Sequence, residues 1–248
     1  MLVDFCLPVK NEEKILRHSL DRLLEYCRLA KFRFSWHIVG VINGSDDSSL
    51  DIFKEYANRY PDEISWFEVK EAGRGGALKK YWSLSQADIL SYMDSDLAVS
   101  LDNIPALINP ILDGERDLVI GSRLLAGAEL KRSLGREIIS RAYIFISRLL
   151  LQERVSDYQC GFKALRRDTF NKLKPFLQDN YWFFDTELIV LAKRLNYRVQ
   201  EIPTNWQEAR YGRRPTTVKL VRDSLIFMKN LWFFRQRLKH VIKYPDNV

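Results

Sequence analysis

Residues 2–16, LVDFCLPVKNEEKIL, contain the first unit of a pattern that organises the first hundred residues. The apolar run from Leu2 to Leu7 predicts a short buried strand, and Pro8 ends it. Apolar residues then recur at helical spacing, with Asn11 placed to cap the helix. The stretch therefore predicts a strand, a polar loop and a helix in direct succession.

The same order of strand, loop and helix recurs further along the chain. Strands are predicted over 37–42, 64–69 and 88–93, with helices over 49–60 and 78–86 between them. This alternation indicates βαβ units and a largely parallel sheet in one α/β domain. The later predicted elements are a strand over 117–121, an amphipathic helix over 133–151, a helix over 183–195 and a strand over 197–202.

Polar residues follow each of the first four strands immediately. They lie at 8–11, 43–46, 73–76 and 94–96. In open parallel sheets, ligands bind beyond the carboxyl ends of the strands, near a topological switch point. We therefore expect these four loops to converge on one edge of the sheet and to form a binding site there.

The fourth loop, in YMDSDLAVS (residues 92–100), carries two carboxylates one residue apart, Asp94 and Asp96. Such close carboxylates repel each other unless a cation lies between them or water screens both. Mg²⁺ takes one or two protein carboxylates and completes its shell with substrate and water oxygens. We predict that Asp94 and Asp96 bind Mg²⁺ or Mn²⁺, and the alternative is a solvated loop.

Charge and cysteine content restrict the class of protein. The net charge is +7, and residues 210–248 alone hold ten Lys or Arg against two Asp. Such a basic tail predicts an anionic partner, either nucleic acid or a phosphate-bearing membrane surface. The three cysteines include no C-x-x-C pair, which argues against a disulfide framework or a structural zinc site and favours a cytoplasmic protein. No signal peptide and no spanning helix are expected.

Seven blocks of sequence, in this order, resemble one family. They are LPVKNEEKIL, NGSDDS, GRGGALKK, YMDSDLA, DLVIGSRLLAG, VSDYQCGFKALRR and FFDTELIVLAKR. Together they resemble the family 2 glycosyltransferases, and among these the polyprenyl-phosphate (dolichyl-phosphate) mannose and glucose synthases. The resemblance covers roughly residues 2–208. It implies a GT-A (Rossmann-like) fold with a mainly parallel central sheet flanked by helices. We accordingly predict a catalytic domain over 1–209 and a basic amphipathic segment over 210–248.

The resemblance also implies which residues bind the nucleotide-sugar donor. In this family Arg74 would lie in a loop that closes over the nucleotide, and Asp94 and Asp96 would form the metal-binding motif. At the position where the family usually has an acidic pair beside the base, this chain has Ile42 and Asn43. The nucleotide-sugar-binding set is Pro8, Asn11, Glu12, Asn43, Asp46, Arg74, Asp94 and Gln159.

A second set of residues would serve catalysis and the acceptor. Arg123 and Arg136 match the acceptor-phosphate positions of the family, and a guanidinium fork matches phosphate bidentately; the alternative for either is a surface salt bridge. Asp157 would contact the sugar or act as a base. The catalytic set is thus Asp96, Asp157, Arg123 and Arg136, with Arg210, Arg213 and Arg214 predicted in a loop that closes over the diphosphate and acceptor. Asp185 and Glu187 match a further block of the family. For these two residues a functional role and the role of a buried structural acid are equal alternatives.

The leading hypothesis is a metal-dependent inverting transferase that moves a hexose from a UDP-glucose or GDP-mannose type donor to a polyprenyl phosphate. The amphipathic segments 133–151 and 210–248 would place the protein peripherally on the cytoplasmic membrane face or in a homo-oligomer. One alternative has a soluble or glycan hydroxyl as acceptor, with Asp157 as base. Another is a nucleic-acid-binding module, whereas the leading hypothesis assigns no nucleic-acid partner.

Overall fold

The structure is a computed structural model, which describes residues 1–128, 130–131, 134–207 and 220–241, with side chains over 1–128, 141–207 and 226–239. Strands and helices alternate through the first half of the chain, as the sequence predicts. The strands are β1 (Leu2–Val9), β2 (Ser35–Asn43), β3 (Ile64–Val69), β4 (Ile89–Met93), β5 (Leu118–Ser122), β6 (Leu130–Lys131), β7 (Phe162–Arg166), β8 (Val199–Pro203) and β9 (Trp206–Gln207). The helices are α1 (Glu13–Leu29), α2 (Ser49–Arg59), α3 (Arg74–Trp82), α4 (Ile104–Leu112), α5 (Leu134–Leu151), α6 (Arg167–Leu173), α7 (Phe184–Arg194) and α8 (Leu220–Val241), with 3₁₀ turns at Leu101–Asn103 and Lys174–Phe176.

Seven of these strands form one sheet in the order β3-β2-β1-β4-β7-β5-β8. β7 runs antiparallel to both of its neighbours, while the other pairings are parallel. The predicted largely parallel α/β sheet is thus confirmed. Strands β1 to β3 extend the sheet in one direction and β4 adds on the other side of β1, so the topological switch point lies between β1 and β4.

The two central strands part at this switch point. The β1–β4 ladder ends at the pair Cys6 and Tyr92, whereas the β1–β2 ladder continues to Val9. Pro8 lies just past the end of the β1–β4 ladder, and its ring nitrogen has no hydrogen to donate. The sheet therefore opens at its carboxyl edge, next to the loop that carries Asp94.

Side chains from the two faces of the sheet enter separate apolar clusters. In β1, Phe5 and Leu7 join the cluster beneath α1, α2 and α4, while Cys6 points to the opposite cluster with α3 and α7. This alternation is the period of two of a strand, and burial on both faces explains the near-continuous apolar sequence. The C-terminal helix α8 also joins the second cluster, through Leu231, Phe234 and Leu238.

Two helices begin at other residues than the sequence predicts. The N-cap of α1 is Glu12 rather than Asn11, because Asn11 adopts a left-handed conformation (φ 57°) and its side chain turns to the neighbouring loop. α3 starts at Arg74 instead of residue 78. Glycines lower helix propensity in GRGG, but tertiary contacts override this: the Gly76 amide donates to the Asn180 carbonyl (2.9 Å).

In the part of the chain that the structure describes, none of the helices has the length and apolar character that crossing a bilayer requires.

Candidate active site

The loops after β1 and β2 are tied to each other at the carboxyl edge of the sheet. Asn11 Nδ2 donates to Asp46 Oδ1 (2.6 Å), and the Asp46 amide donates back to Asn11 Oδ1 (3.0 Å). The backbone amide of Glu12 donates to Ser49 Oγ (2.9 Å). The predicted convergence of these two loops is therefore confirmed, and their polar side chains lie together at the surface.

Asn43 lies beneath these loops and is only 4% exposed. Its Nδ2 donates to the Val9 carbonyl (2.9 Å), and its Oδ1 accepts from the Gly73 amide (3.3 Å). The amide thus joins β1, β2 and the residue before α3. The expected contact between Asn43 and a nucleotide would require breaking these hydrogen bonds, so the geometry favours a structural role.

The Asp94 and Asp96 loop leaves β4 beside the start of β7. The Asp94 amide donates to the Gly161 carbonyl (3.0 Å), and its carbonyl accepts from the Leu97 amide (2.9 Å). Asp96 Oδ1 accepts from the Ala98 amide (3.1 Å). These turn hydrogen bonds fix the backbone from which both carboxylates project.

The donor set of this loop fits a hard divalent cation. Asp94 and Asp96 offer carboxylate oxygens, and the Asp94 side chain is 42% exposed. Among the described residues, no group of three or more acidic, histidine or cysteine side chains converges on one point. A cation at Asp94 and Asp96 would therefore complete its shell with water and ligand oxygens, which is the habit of Mg²⁺.

The electrostatics of Asp94 explain how two close carboxylates persist. Burial raises the pKa of Asp94 to about 6, although Arg74 opposes the rise, and the negative charges of Asp96 and Asp185 add to it. The carboxylate is open to solvent on one side and enclosed by protein on the others. A cation bound there would relieve the repulsion from Asp96.

Arg74 occupies the first turn of α3 and not a loop, contrary to the expectation of a segment that closes over the nucleotide. Its side chain is 8% exposed. Nη1 donates to Asp94 Oδ1 (3.1 Å), and Nη2 pairs with Asp185 Oδ2. The guanidinium carbon lies 4.3 Å from the centre of the Trp182 ring and 5.4 Å from that of Tyr92. Packing of α3 against the 180–184 segment thus places Arg74 beneath the aspartate pair.

Asp185 lies below Arg74 and is fully buried in the first turn of α7. Its Oδ1 accepts from the Tyr92 hydroxyl and lies 3.1 Å from Lys163 Nζ. Lys163 projects from β7 and is also fully buried. Buried charges are costly unless they are paired, and here each charged group has an opposite partner.

Arg123 and Asp157 form a second ion pair, at the carboxyl end of β5. Arg123 Nε and Nη2 donate to the two Asp157 oxygens (2.6 and 3.0 Å), and the Arg123 amide adds a third hydrogen bond (3.2 Å). Burial alone would raise the pKa of Asp157, but the charge and hydrogen bonds of Arg123 hold it below its ordinary value. Both Asp157 oxygens already accept hydrogen bonds from Arg123, so the geometry favours a partner of Arg123 over a general base.

Gln159 and Glu187 have structural partners. Gln159 Nε2 donates to Thr186 Oγ1 (3.0 Å) in α7. Glu187 accepts from the Gln178 and Asp179 amides (both 2.8 Å), and its other oxygen accepts from Arg237 of α8 (2.6 Å). The geometry thus favours the structural alternative for Glu187, which holds α8 against the domain.

Gly161 lies beside Asp94, and no signal in the sequence singles it out. A Cβ added at Gly161 would overlap the Asp94 carboxylate, so glycine alone leaves room for it. The glycine stands in the block VSDYQCGFKALRR, but nothing in the sequence shows that it faces Asp94.

Four predicted arginines remain predictions. The side chain of Arg136 in α5, and all of Arg210, Arg213 and Arg214, lie outside the described residues.

Solved structures show the same fold. Glucosyl-3-phosphoglycerate synthase from Mycobacterium tuberculosis, in complex with uridine diphosphate, superposes with a TM-score of 0.63 at 19% identity, over 95% of this chain and 80% of that chain. The same enzyme in complex with Mn²⁺, uridine diphosphate and phosphoglyceric acid superposes with a TM-score of 0.62 at 18% identity, over 94% of this chain and 78% of that chain. The expected GT-A fold is therefore confirmed.

Sequence comparison establishes the family. The model of Glycosyl transferase family 2 matches residues 4–174. Glycosyltransferase AglD of Haloferax volcanii is 33% identical over 90% of this chain, and the chain spans 35% of that relative's length. The dolichyl-phosphate beta-glucosyltransferase of Dictyostelium discoideum is 29% identical over 82% of this chain, and the match covers 65% of that relative's length. The chain belongs to glycosyl transferase family 2.

Proposed function

We propose that this chain transfers a hexose, with inversion, from a nucleotide diphosphate sugar to a polyprenyl phosphate of the dolichyl type. The observation that carries the proposal is that a partly exposed pair of carboxylates, Asp94 and Asp96, and a largely buried arginine, Arg123, lie at the carboxyl edge of one sheet. Arg123 lies close enough to Asp94 for each charge to shift the pKa of the other. The names of the relatives, dolichyl-phosphate beta-glucosyltransferases among them, support the same acceptor class.

The donor half of the site rests on the loops after β1, β2 and β4. Asn11 and Asp46 would contact the nucleoside, and Asp94 and Asp96 would hold Mg²⁺ or Mn²⁺ beside the diphosphate. A divalent cation there would stabilise the negative charge that grows on the leaving nucleoside diphosphate. A solved structure of the same fold contains Mn²⁺ and uridine diphosphate, which supports this placement.

The acceptor half rests on Arg123. A phosphate oxygen would attack the anomeric carbon while the bond from that carbon to the diphosphate oxygen breaks and its electron pair leaves with the diphosphate. A phosphate acceptor is already an anion, so the step needs no base. The lowered pKa of Asp157 makes it ill suited to deprotonate a hydroxyl acceptor, and this favours the phosphate over the hydroxyl alternative.

The exposed side of α8 supports a peripheral position on a membrane surface, which we propose to be the cytoplasmic face. Trp232 and Phe233 are 54% and 53% exposed, and Ile226 is exposed nearby. Lys229 and Arg235 are exposed on the same helix. Aromatic side chains beside basic ones are typical of helices that lie in a bilayer interface, and anionic lipids add about 1 kcal/mol for each nearby cation.

The proposed reaction is tested with a panel of labelled UDP and GDP hexoses, polyprenyl phosphate, and Mg²⁺ or Mn²⁺. We expect label from one donor to enter the organic phase after extraction. Label that stays in the aqueous phase with every donor would overturn the lipid-phosphate acceptor.

The membrane face is tested separately by co-sedimentation with vesicles that contain anionic lipid. We expect the double variant Trp232→Ser and Phe233→Ser to lose most vesicle binding. The control Leu84→Ser removes an apolar side chain that is equally exposed elsewhere and should bind as the unaltered protein does. Equal binding by the double variant would remove α8 from the membrane contact.

A further inference from the structure

The charges buried beneath Asp94 form one connected group, the Asp185 cluster, which consists of Arg74, Tyr92, Lys163 and Asp185. Asp185 stands at its centre with both oxygens engaged, Oδ2 by Arg74 and Oδ1 by Tyr92 and Lys163. With Asp94 included, two cations face two carboxylates. Asp185 is fully buried, so it has neither the exposure nor a vacant oxygen with which to bind a ligand.

The orientation of Arg74 is restricted from several directions. Asp185 holds one amino group of the guanidinium, and the Trp182 and Tyr92 rings lie within 4.3 and 5.4 Å of its central carbon. The group that remains, Nη1, is thereby presented to Asp94 Oδ1 at 3.1 Å. A lysine at this position would keep the charge but lose the planar fork that makes both contacts.

The Asp94 carboxylate is enclosed from a second side by Gly161, the residue just before β7, whose backbone leaves no room for a Cβ beside it. Lys163, two residues further along the chain and within β7, pairs with Asp185. This stretch of chain therefore supports Asp94 both directly and through the cluster. These contacts restrain the orientation of the Asp94 side chain. The side chain is still 42% exposed, so part of the carboxylate faces the cleft.

We infer that the Asp185 cluster is a positioning device that fixes Asp94 for cation binding, and that Arg74 and Asp185 act through Asp94 rather than on the nucleotide. This inference rests on the proposed function, in which Asp94 is a cation ligand. Residues behind a metal ligand set its orientation, and their loss typically lowers metal affinity about 10–100-fold. The inference rests on a chain of contacts from Lys163 through Asp185 and Arg74 to Asp94.

The test is Mn²⁺ binding to the full chain, followed by the electron paramagnetic resonance signal of free Mn²⁺, with UDP and GDP present in separate titrations. We expect Asp185→Asn, which keeps the shape but removes the charge, to raise the Mn²⁺ dissociation constant at least about tenfold. Arg74→Lys should do the same. The control Asp168→Asn alters an exposed carboxylate in the first turn of α6 and should leave the dissociation constant unchanged.

A kinetic measurement separates positioning from general damage. In Asp185→Asn, the Mn²⁺ concentration for half-maximal transfer should rise by the same factor as the dissociation constant, while kcat at saturating Mn²⁺ returns close to the unaltered value. A merely structural defect would lower kcat at every Mn²⁺ concentration and would contradict the inference. If Asp185→Asn fails to fold, Arg74→Lys decides the matter by the same two measurements.

The outcomes also separate this inference from the function on which it rests. Mn²⁺ binding by the unaltered chain together with unchanged affinity in folded Asp185→Asn and Arg74→Lys would overturn the positioning role alone. Absence of Mn²⁺ binding by the unaltered chain, with either nucleotide, would overturn the metal-dependent function and this inference with it.

Discussion

Two arginine–aspartate pairs lie at the carboxyl edge of the sheet, and they differ in how many partners each aspartate has. Asp185 binds Arg74 but also Lys163 and Tyr92. Among the residues that the structure describes, the ion-pair partner of Asp157 is Arg123, which holds it with a bidentate fork. Breaking the first pair would leave buried charges unpaired on both sides. In the second pair Asp157 is almost as buried, at 3% exposure, but Arg123 is 14% exposed, so the proposed contact with a phosphate is open to Arg123 while Asp157 still holds it.

A third pair shows the same fork with a more exposed arginine, although its aspartate is only 14% exposed. Arg198 donates to both oxygens of Asp117 (3.0 and 2.8 Å) at the start of β5, and the Arg198 side chain is more than half exposed. Solvent-exposed pairs contribute about 0–1 kcal/mol to stability. This pair therefore serves as the reference against which the two site pairs are compared.

The largest expected effect is at Asp96, which follows the carboxylate that the first pair supports, Asp94. If Asp96 is a cation ligand as proposed, its replacement by alanine should lower kcat about 10²–10³-fold, the usual loss when a group that stabilises transition-state charge is removed. Steady-state transfer rates measure this. Asp102→Ala, which changes an exposed carboxylate in the next turn, is the matched control and should retain activity; equal rates in both variants would place the metal elsewhere.

The next effect tests whether Arg123 binds the acceptor. Arg123→Lys keeps the charge but loses the fork, and hydrogen bonds to charged groups contribute about 1.5–3 kcal/mol. The acceptor KM should rise about 10–100-fold, with the donor KM unchanged. Varying each substrate in turn separates the two constants. A rise in the donor KM alone would assign Arg123 to the donor half of the site.

Asp157→Asn tests whether Asp157 positions Arg123 or removes a proton. If it only positions Arg123, activity should fall about tenfold, and the pH–rate profile of the variant should keep the shape of the original. The profile is measured from about pH 3 to pH 9 with polyprenyl phosphate as acceptor, because the pKa of Asp157 lies below its ordinary value of 3.8 and an acidic limb due to this group would lie in that low range. Loss of an acidic limb in the variant would show that Asp157 acts as a base.

The same substitution has a pH-dependent effect on stability. The folded pKa of Asp157 lies below its ordinary value of 3.8, so the charged pair stabilises the fold above about pH 4, and that contribution is lost as pH falls through the folded pKa. Removing one partner of a buried pair costs about 3–5 kcal/mol. Urea unfolding should therefore find Asp157→Asn less stable at pH 7, with a smaller difference below pH 4. A difference that stays constant with pH would contradict this.

The smallest effect belongs to the exposed reference pair. Asp117→Asn should lower the free energy of unfolding by no more than about 1 kcal/mol and leave both KM values unchanged. Unfolding and kinetics under the same conditions measure both. A loss as large as that of Asp157→Asn would mean that burial does not distinguish the pairs.

The sequence was informative where function follows strand order. The apolar runs and the polar residues after them predicted the sheet and the position of Asp94 and Asp96 at its carboxyl edge. The sequence did not reveal contacts between distant residues: Asp157 reaches Arg123 across 34 positions, and Gly161 meets Asp94 from the turn before β7. One sign was present, since Lys163 interrupts an apolar central strand, and a buried lysine needs a carboxylate partner.

Arg74 shows why local signals can fail. The glycines around it predict a loop, yet contacts with the segment before α7 start the helix four residues early. Tertiary packing that overrides propensity is not visible in a single block of sequence.

The proposal that the acceptor is a phosphate is tested most directly by comparing polyprenyl phosphate with the free polyprenol of the same length, using the donor that the panel identifies. We predict labelled lipid with the phosphate and none with the alcohol. Equal labelling of both lipids, or none of either, would contradict the account.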